Sequence, residues 1–155
     1  MLWLLENYSD AKWNYKHGLL PWHFKSAITK LKTIREKGAI PVLLTSIVRR
    51  KFNEFGVLVD THGDYPLETR LVAQQLGVTL IDLQYFSEVL ELSYGPEKSK
   101  LLHLHFEKGE NEYVPEGKND DTHLSELGAT EIAMMVAREI KNSDLPLAKF
   151  VKQFD

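Results

Sequence analysis

A single α/β domain of layered helices on a parallel sheet is predicted from three observations. Short apolar runs with the make-up of buried strands alternate with segments whose apolar residues fall at helical spacing. Glycine or proline punctuates the changes of period. The chain, 155 residues long and 43% hydrophobic, can bury a core without disulfide support. Strands separated by crossover helices pair in parallel with right-handed connections, which gives the layered arrangement.

The elements follow in order. Leu2 to Leu5 is a short apolar run leading into the polar ENYSD, as a buried strand entering a loop would. At Pro21 the period changes: Phe24, Ala27, Ile28, Leu31 and Ile34 lie at helical spacing, and Gly38 stops the helix after Lys37. Ala39 to Ser46, AIPVLLTS, is apolar and branched, which suits a strand covered on both faces. A polar segment carrying Arg49, Arg50 and Lys51 comes next. Asp64 then caps a helix with Pro66 in its first turn, Leu67, Leu71, Val72 and Leu76 on one face, and Gly77 at its end. Val78 to Asp82, VTLID, reads as a third buried strand. Helices near Gln84 to Ser93 and Pro96 to Leu102 precede a long loop over residues 106 to 122. Ala129, Ile132, Ala133, Val136, Ala137 and Ile140 make the last amphipathic stripe, with Ser125 as its N-cap.

Charge and composition restrict the partners. A net charge of −3, from 19 basic and 22 acidic residues, gives no footprint for nucleic acid and no polybasic patch for a membrane surface. With no cysteine there is no disulfide, thiolate metal site or thiol nucleophile, and either side of a membrane remains open as the compartment. MLWLL is too short for a membrane span or a signal segment and reads as a strand instead.

In open parallel sheets ligands bind beyond the carboxyl ends of the strands, where the loops at Asn7 to Asp10, Ser46 to Lys51 and Asp82 onward share one rim. Asp120 and His123 lie in the segment entering the last helix. An aspartate on one imidazole nitrogen fixes the tautomer, leaving the other nitrogen to take a proton from a hydroxyl. A three-residue offset in a turn permits that contact. Spacing alone favours a polar turn with a capped helix after it.

NDDTHLSELGATEIAMMVA resembles the last block of the SGNH/GDSL hydrolases, specifically the rhamnogalacturonan acetylesterase-like group, in which Asp-x-x-His precedes a helix carrying Gly-Ala. GAIPVLLTSIVRRKF, VDTHGDYP, GVTLIDL and YGPEKSK match further blocks of that group in the same order. The resemblance implies a three-layer αβα flavodoxin-like SGNH hydrolase fold and a Ser-His-Asp mechanism without cofactor or metal. It makes His123 the catalytic base and Asp120 its orienting acid, with Asp121 a neighbour outside the triad.

The chain departs from the group in two blocks. The Gly-Asp-Ser tripeptide that holds the nucleophile does not occur in it. In place of the Gly-x-Asn-Asp block stands Asn7-Tyr8-Ser9-Asp10, where Asn7 replaces the glycine and Ser9 the asparagine of the oxyanion hole. The chain therefore resembles the later two-thirds of such an enzyme, a single partial domain over 1-155, N-terminally truncated. An apolar edge strand at Leu2 to Leu5 would then template self-association into a homo-oligomer. Ser46 and Ser9 are the alternative hydroxyls, and both read as structural: a serine without a matched base and oxyanion donors is a poor nucleophile.

By this resemblance the chain descends from carbohydrate esterases that remove O-acetyl groups from pectic polysaccharide, and alone it is expected to be inactive. An acetylated polysaccharide or oligosaccharide is the expected partner. Arg49 and Arg50 either face the carboxylates of an acidic backbone such as one containing galacturonate or lie in a solvated loop, and Trp13 offers a face for a sugar ring. A noncatalytic carbohydrate-binding relic is the first alternative. A metal-dependent hydrolase is the second: His103 and His105 alternate in LLHLHF and could combine with Asp120 and His123. Relatives in the group are often secreted or periplasmic; the sequence assigns no compartment.

Overall fold

A computed structural model describes residues 21–152. The strand expected at Leu2 to Leu5, the association assigned to it, and Asn7, Ser9 and Trp13 lie outside the described residues. The chain divides into two compact units, one of residues up to Ser46 with His62–Asp82, the other of Ile47–Thr61 with Leu83 onward. No described helix is long and apolar enough to cross a membrane.

The first unit contains α1 (Pro21–Glu36), β1 (Val42–Leu44), α2 (Tyr65–Leu76) and β2 (Thr79–Ile81). The strands pair in parallel, with Val42 opposite Thr79 and Leu44 opposite Ile81. A parallel pair needs a crossover, and α2 supplies it as the alternating pattern predicts. Leu31 of α1, Val72 of α2 and Val78 form the buried core, with Leu43 and Leu76 packed against it. Each such side chain, taken out of water, contributes about 1.5–3 kcal/mol. Gly77 closes α2 in the left-handed region (φ 55°), its N–H reaching the carbonyls of Ala73 and Gln74.

Two details of this unit differ from expectation. Asp64 stands at the N-cap of α2, but its backbone is helical and its carboxylate makes no capping bond. A cap oxygen meets the second or third amide only from an extended backbone. The strand read over Ala39 to Ser46 is three residues long, and Leu44 is 45% exposed. The described sheet has two strands, so β1 has one of its edges paired to β2. Beyond the strands, Asp82 receives Arg70 through Nε at 2.7 Å and Nη2 at 2.8 Å, and the Thr45 hydroxyl at 2.9 Å.

The second unit contains α3 (Leu83–Lys98), a 3-10 turn (Ser99–Leu102), β3 (His103–Phe106), β4 (Lys118–Leu124) and α4 (Glu126–Lys141). Gly95 breaks α3 with φ 72° and ψ 176°, and Pro96 follows it. The two helices expected on either side of Tyr94-Gly95 are thus a kinked pair. The largest difference lies in residues 106 to 122, read as a loop. Its last part is β4, paired antiparallel to β3 with Phe106 opposite Lys118 and Leu104 opposite Asp120. Polar KNDDTHL lacks the alternation of a half-buried strand, so its pairing was not readable locally.

Ser125 caps α4 as expected, its hydroxyl accepting the Gly128 N–H at 3.1 Å and donating to the Leu101 carbonyl at 2.6 Å. Gly128 shows why the cap comes so close to the 3-10 turn. A Cβ there would sit 2.0 Å from the Leu102 carbonyl oxygen, so only glycine permits the approach. Leu102 itself is fully buried. The start of the last helix is thereby held against the 3-10 turn at Leu101 and Leu102.

Candidate active site

The register of the β3–β4 pair slips where the candidate residues stand. His103 is opposite Leu124 and the next residue, Leu104, is opposite Asp120, so Asp121, Thr122 and His123 are extra residues on β4. Such a bulge bends a strand and re-aims its side chains. Asp120 organises it from within: Oδ1 accepts the N–H groups of Thr122 and His123, each at 2.9 Å. Oδ2 then meets His123 Nδ1 at 2.8 Å, with the Lys118 ammonium 3.2 Å away.

A carboxylate can only accept, so His123 Nδ1 carries the hydrogen and Nε2 is left with its lone pair. The Asp120 side chain is 16% exposed, whereas that of His123 is 72% exposed. The fixed carboxylate thus orients a ring whose other edge is open to an incoming hydroxyl. The N–H groups of His123 and then Thr122 hold the Asp120 carboxyl far below the ordinary carboxylate range, helped by the His123 ring and Lys118. It stays charged throughout the neutral pH range. Chemically, the pair can accept a proton at Nε2 and stabilise the resulting imidazolium.

The neighbouring Asp121 faces a different set of groups. Its Oδ1 accepts from Arg50 Nη1 at 2.7 Å and from His105 Nε2 at 2.8 Å. Burial pushes its carboxyl upward, but the Arg50 and His105 hydrogen bonds and the Arg50 charge prevail and hold it below the usual value. Arg50 also donates from Nε to Ser99 Oγ at 3.0 Å and from Nη2 to the Pro96 carbonyl. Its guanidinium lies 5.8 Å over the Phe52 ring, and its side chain is 10% exposed. The arginine expected to face a polysaccharide is therefore committed within the protein at every nitrogen. Arg49, next to it, is exposed.

The histidines of the metal-dependent alternative separate into different partnerships. His103 Nε2 meets Glu91 at 2.6 Å in the interior, His105 meets Asn119 and Asp121, and His123 meets Asp120. No group of three metal-ligating side chains is assembled among the described residues. The sequence reading missed the grip of Arg50 and His105 on Asp121. The two contacts join residues 71 and 16 apart in the chain, and the adjacent carboxylates of NDDTH were their only local trace.

No family model matches the chain. The fold is similar to that of protein YxiM of Bacillus subtilis, a crystal structure matched with a TM-score of 0.62 at 22% identity over 79% of this chain and 31% of that one. That likeness, at 22% identity, shows the fold alone: helices layered on parallel-paired strands. In sequence the chain is similar to two proteins named as rhamnogalacturonan acetylesterases, one of them as a probable one. It is 46% identical over 115 residues to the B. subtilis rhamnogalacturonan acetylesterase RhgT, covering 74% of this chain and 50% of that protein. It is 32% identical over 146 residues to the probable rhamnogalacturonan acetylesterase YesY of the same organism, covering 94% and 59%. The chain thus spans between half and three-fifths of the length of these relatives.

Proposed function

We propose that this chain carries the acid-base half of a carbohydrate O-acetylesterase whose substrate is acetylated pectic polysaccharide of the rhamnogalacturonan type. The observation that supports it most directly is the Asp120–His123 pair, at 2.8 Å with Nε2 open, in the position of the sequence where the resemblance expects a base and its orienting acid. A serine hydroxyl gives its proton to His123 Nε2 as its oxygen attacks the acetyl carbonyl. The imidazolium, stabilised by Asp120, returns that proton to the departing sugar hydroxyl. Water, giving a proton to the same nitrogen, attacks the acetyl-serine carbonyl; the bond to the serine oxygen breaks, that oxygen takes the proton back from His123, and acetate leaves. The orienting acid remains ionised throughout, in keeping with the depressed pKa of Asp120.

The serine is the component with no recognisable block in this sequence, which has no Gly-Asp-Ser tripeptide. Alone, the chain is expected to hydrolyse esters poorly or not at all. The test joins it to the Gly-Asp-Ser-bearing N-terminal part of a family member and follows hydrolysis of an activated acetate ester. Turnover that needs both that serine and His123, and that survives a chelator, supports the reading. A folded fusion that binds pectic oligosaccharide without turnover would instead favour the carbohydrate-binding relic, and chelator-sensitive turnover a metal enzyme.

A further inference from the structure

The bulge that carries His123 is held from two sides, and the second side has no assigned role. Asp120 fixes the bulge internally, through the amides of Thr122 and His123. That bonding sets the curl of the segment but not its attachment to the surrounding structure. Attachment comes from Asp121. Its carbonyl accepts the Arg50 N–H at 2.9 Å, while its carboxylate takes Arg50 Nη1 and His105 Nε2.

Arg50 is itself immobilised by Ser99, a fully buried residue, and by the Pro96 carbonyl beside the Gly95 break. His105 is fixed by its place in β3 and by Asn119. We propose that Asp121, gripped by Arg50 and His105, is a positioning residue for the Asp120–His123 pair. It holds the extra residues of β4 in the backbone shape that presents the His123 ring to the Asp120 carboxylate.

The chemistry of the two carboxylates makes the division of labour specific. Asp120 faces Lys118 and His123; Asp121 faces Arg50 and His105. Neither can take over the other's contacts without reversing the bulge. Bidentate geometry is not available at Asp121, since one oxygen receives both side chains. Its backbone carbonyl provides the other point of attachment to Arg50, so the arginine reads both the main chain and the side chain of the same residue. Loss of the grip would free the bulge, and His123 Nδ1 would meet Asp120 for only part of the time. The consequence for rate rests on His123 being the base, as proposed above; the consequence for the ring does not.

Nitrogen-15 NMR of the His123 ring in the chain as it stands is the test. Asp120→Asn gives the reference for a lost partner, and Ser125→Ala serves as a control that weakens the fold at the adjacent helix cap. Asp121→Ala is expected to move the His123 tautomer ratio most of the way to the Asp120→Asn value. Arg50→Lys, which keeps a charge for Asp121 but cannot also hold Ser99 and Pro96, is expected to move it partway. In the serine-bearing fusion, Asp121→Ala should lower kcat by about 10²-fold with little change in KM, the size of effect a small misplacement of a catalytic group produces. Should Asp121→Ala not fold, Arg50→Lys decides alone. A lowered unfolding midpoint with the His123 tautomer unchanged would overturn the proposal and leave Asp121 a purely structural anchor. An inactive wild-type fusion would sink the esterase reading while leaving the NMR result interpretable.

Discussion

Two histidines on the β3–β4 hairpin each meet a carboxylate at close range, and the contrast between them shows what burial decides. His103 and Glu91 are 2.6 Å apart with side chains 0% and 4% exposed; His123 and Asp120 are 2.8 Å apart with side chains 72% and 16% exposed. In the first pair the remaining atoms, His103 Nδ1 and Glu91 Oε2, are buried and form no hydrogen bond among the described residues. In the second, the carboxylate is supplied with two backbone donors and the imidazole keeps a free edge. Similar functional groups are thus closed off in one place and left accessible for proton exchange in the other. Access to an outside hydroxyl, rather than the presence of a carboxylate, makes a histidine usable as a base.

The contrast can be broken most severely at the exposed pair. In the serine-bearing fusion, Asp120→Asn should reduce kcat by about 10⁴-fold, because the amide can stabilise the wrong imidazole tautomer and not the imidazolium. Denaturant unfolding of the same variant gives the counterpart measurement and should move far less than activity. The buried pair should behave in the opposite way. His103→Ala, which strands Glu91 in the interior and opens a cavity, is expected to destabilise by roughly 2–5 kcal/mol. In a fusion that still folds, its turnover should stay within a few-fold. Equal losses of activity and stability at both pairs would erase the distinction.

Smaller effects sharpen the same comparison. Ser125→Ala removes an N-cap and the bond to the Leu101 carbonyl next to the exposed pair, and should cost about 1 kcal/mol by thermal unfolding. The Asp120 carboxyl, depressed in the folded state, gives the mildest test. Its contribution to stability is complete above the ordinary aspartate value of about 3.9 and disappears only as pH falls through the lower folded value. Carbon-13 titration of that carboxyl should therefore show no transition between pH 5 and about 4. A midpoint at or above the ordinary value would mean that the two amides do not hold it.

Local pattern made the helices readable. The spacing of Ile28 and Leu31, the Gly77 stop and the Ser125 cap each express contacts within a few residues, and each is found in the structure. The parallel strands were legible as apolar runs, though shortened to three residues each. Long-range pairing was not. β4 is polar because much of it bulges away from the ladder, so it carried no strand signal, and the burial of His103 depends on Glu91, 12 residues earlier in a helix. Asp120 and His123 were singled out through the resemblance of the ordered blocks around them, and the structure brings the two side chains together. The use of Arg50 was not legible, since a basic residue reads the same whether it faces a substrate or a buried serine.

The slip in the β3–β4 register gives the protein an internal reporter. The amides of Thr122 and His123 have exchanged a cross-strand carbonyl for the Asp120 carboxylate as their acceptor. Their rates of exchange with deuterated solvent are therefore tied to the charge and placement of a single side chain. Protonating Asp120, or pulling it out of place, would quicken both together while the rest of the hairpin kept its slower exchange. The readiness of the site can be followed at two backbone positions, with no substrate present and no reaction under way.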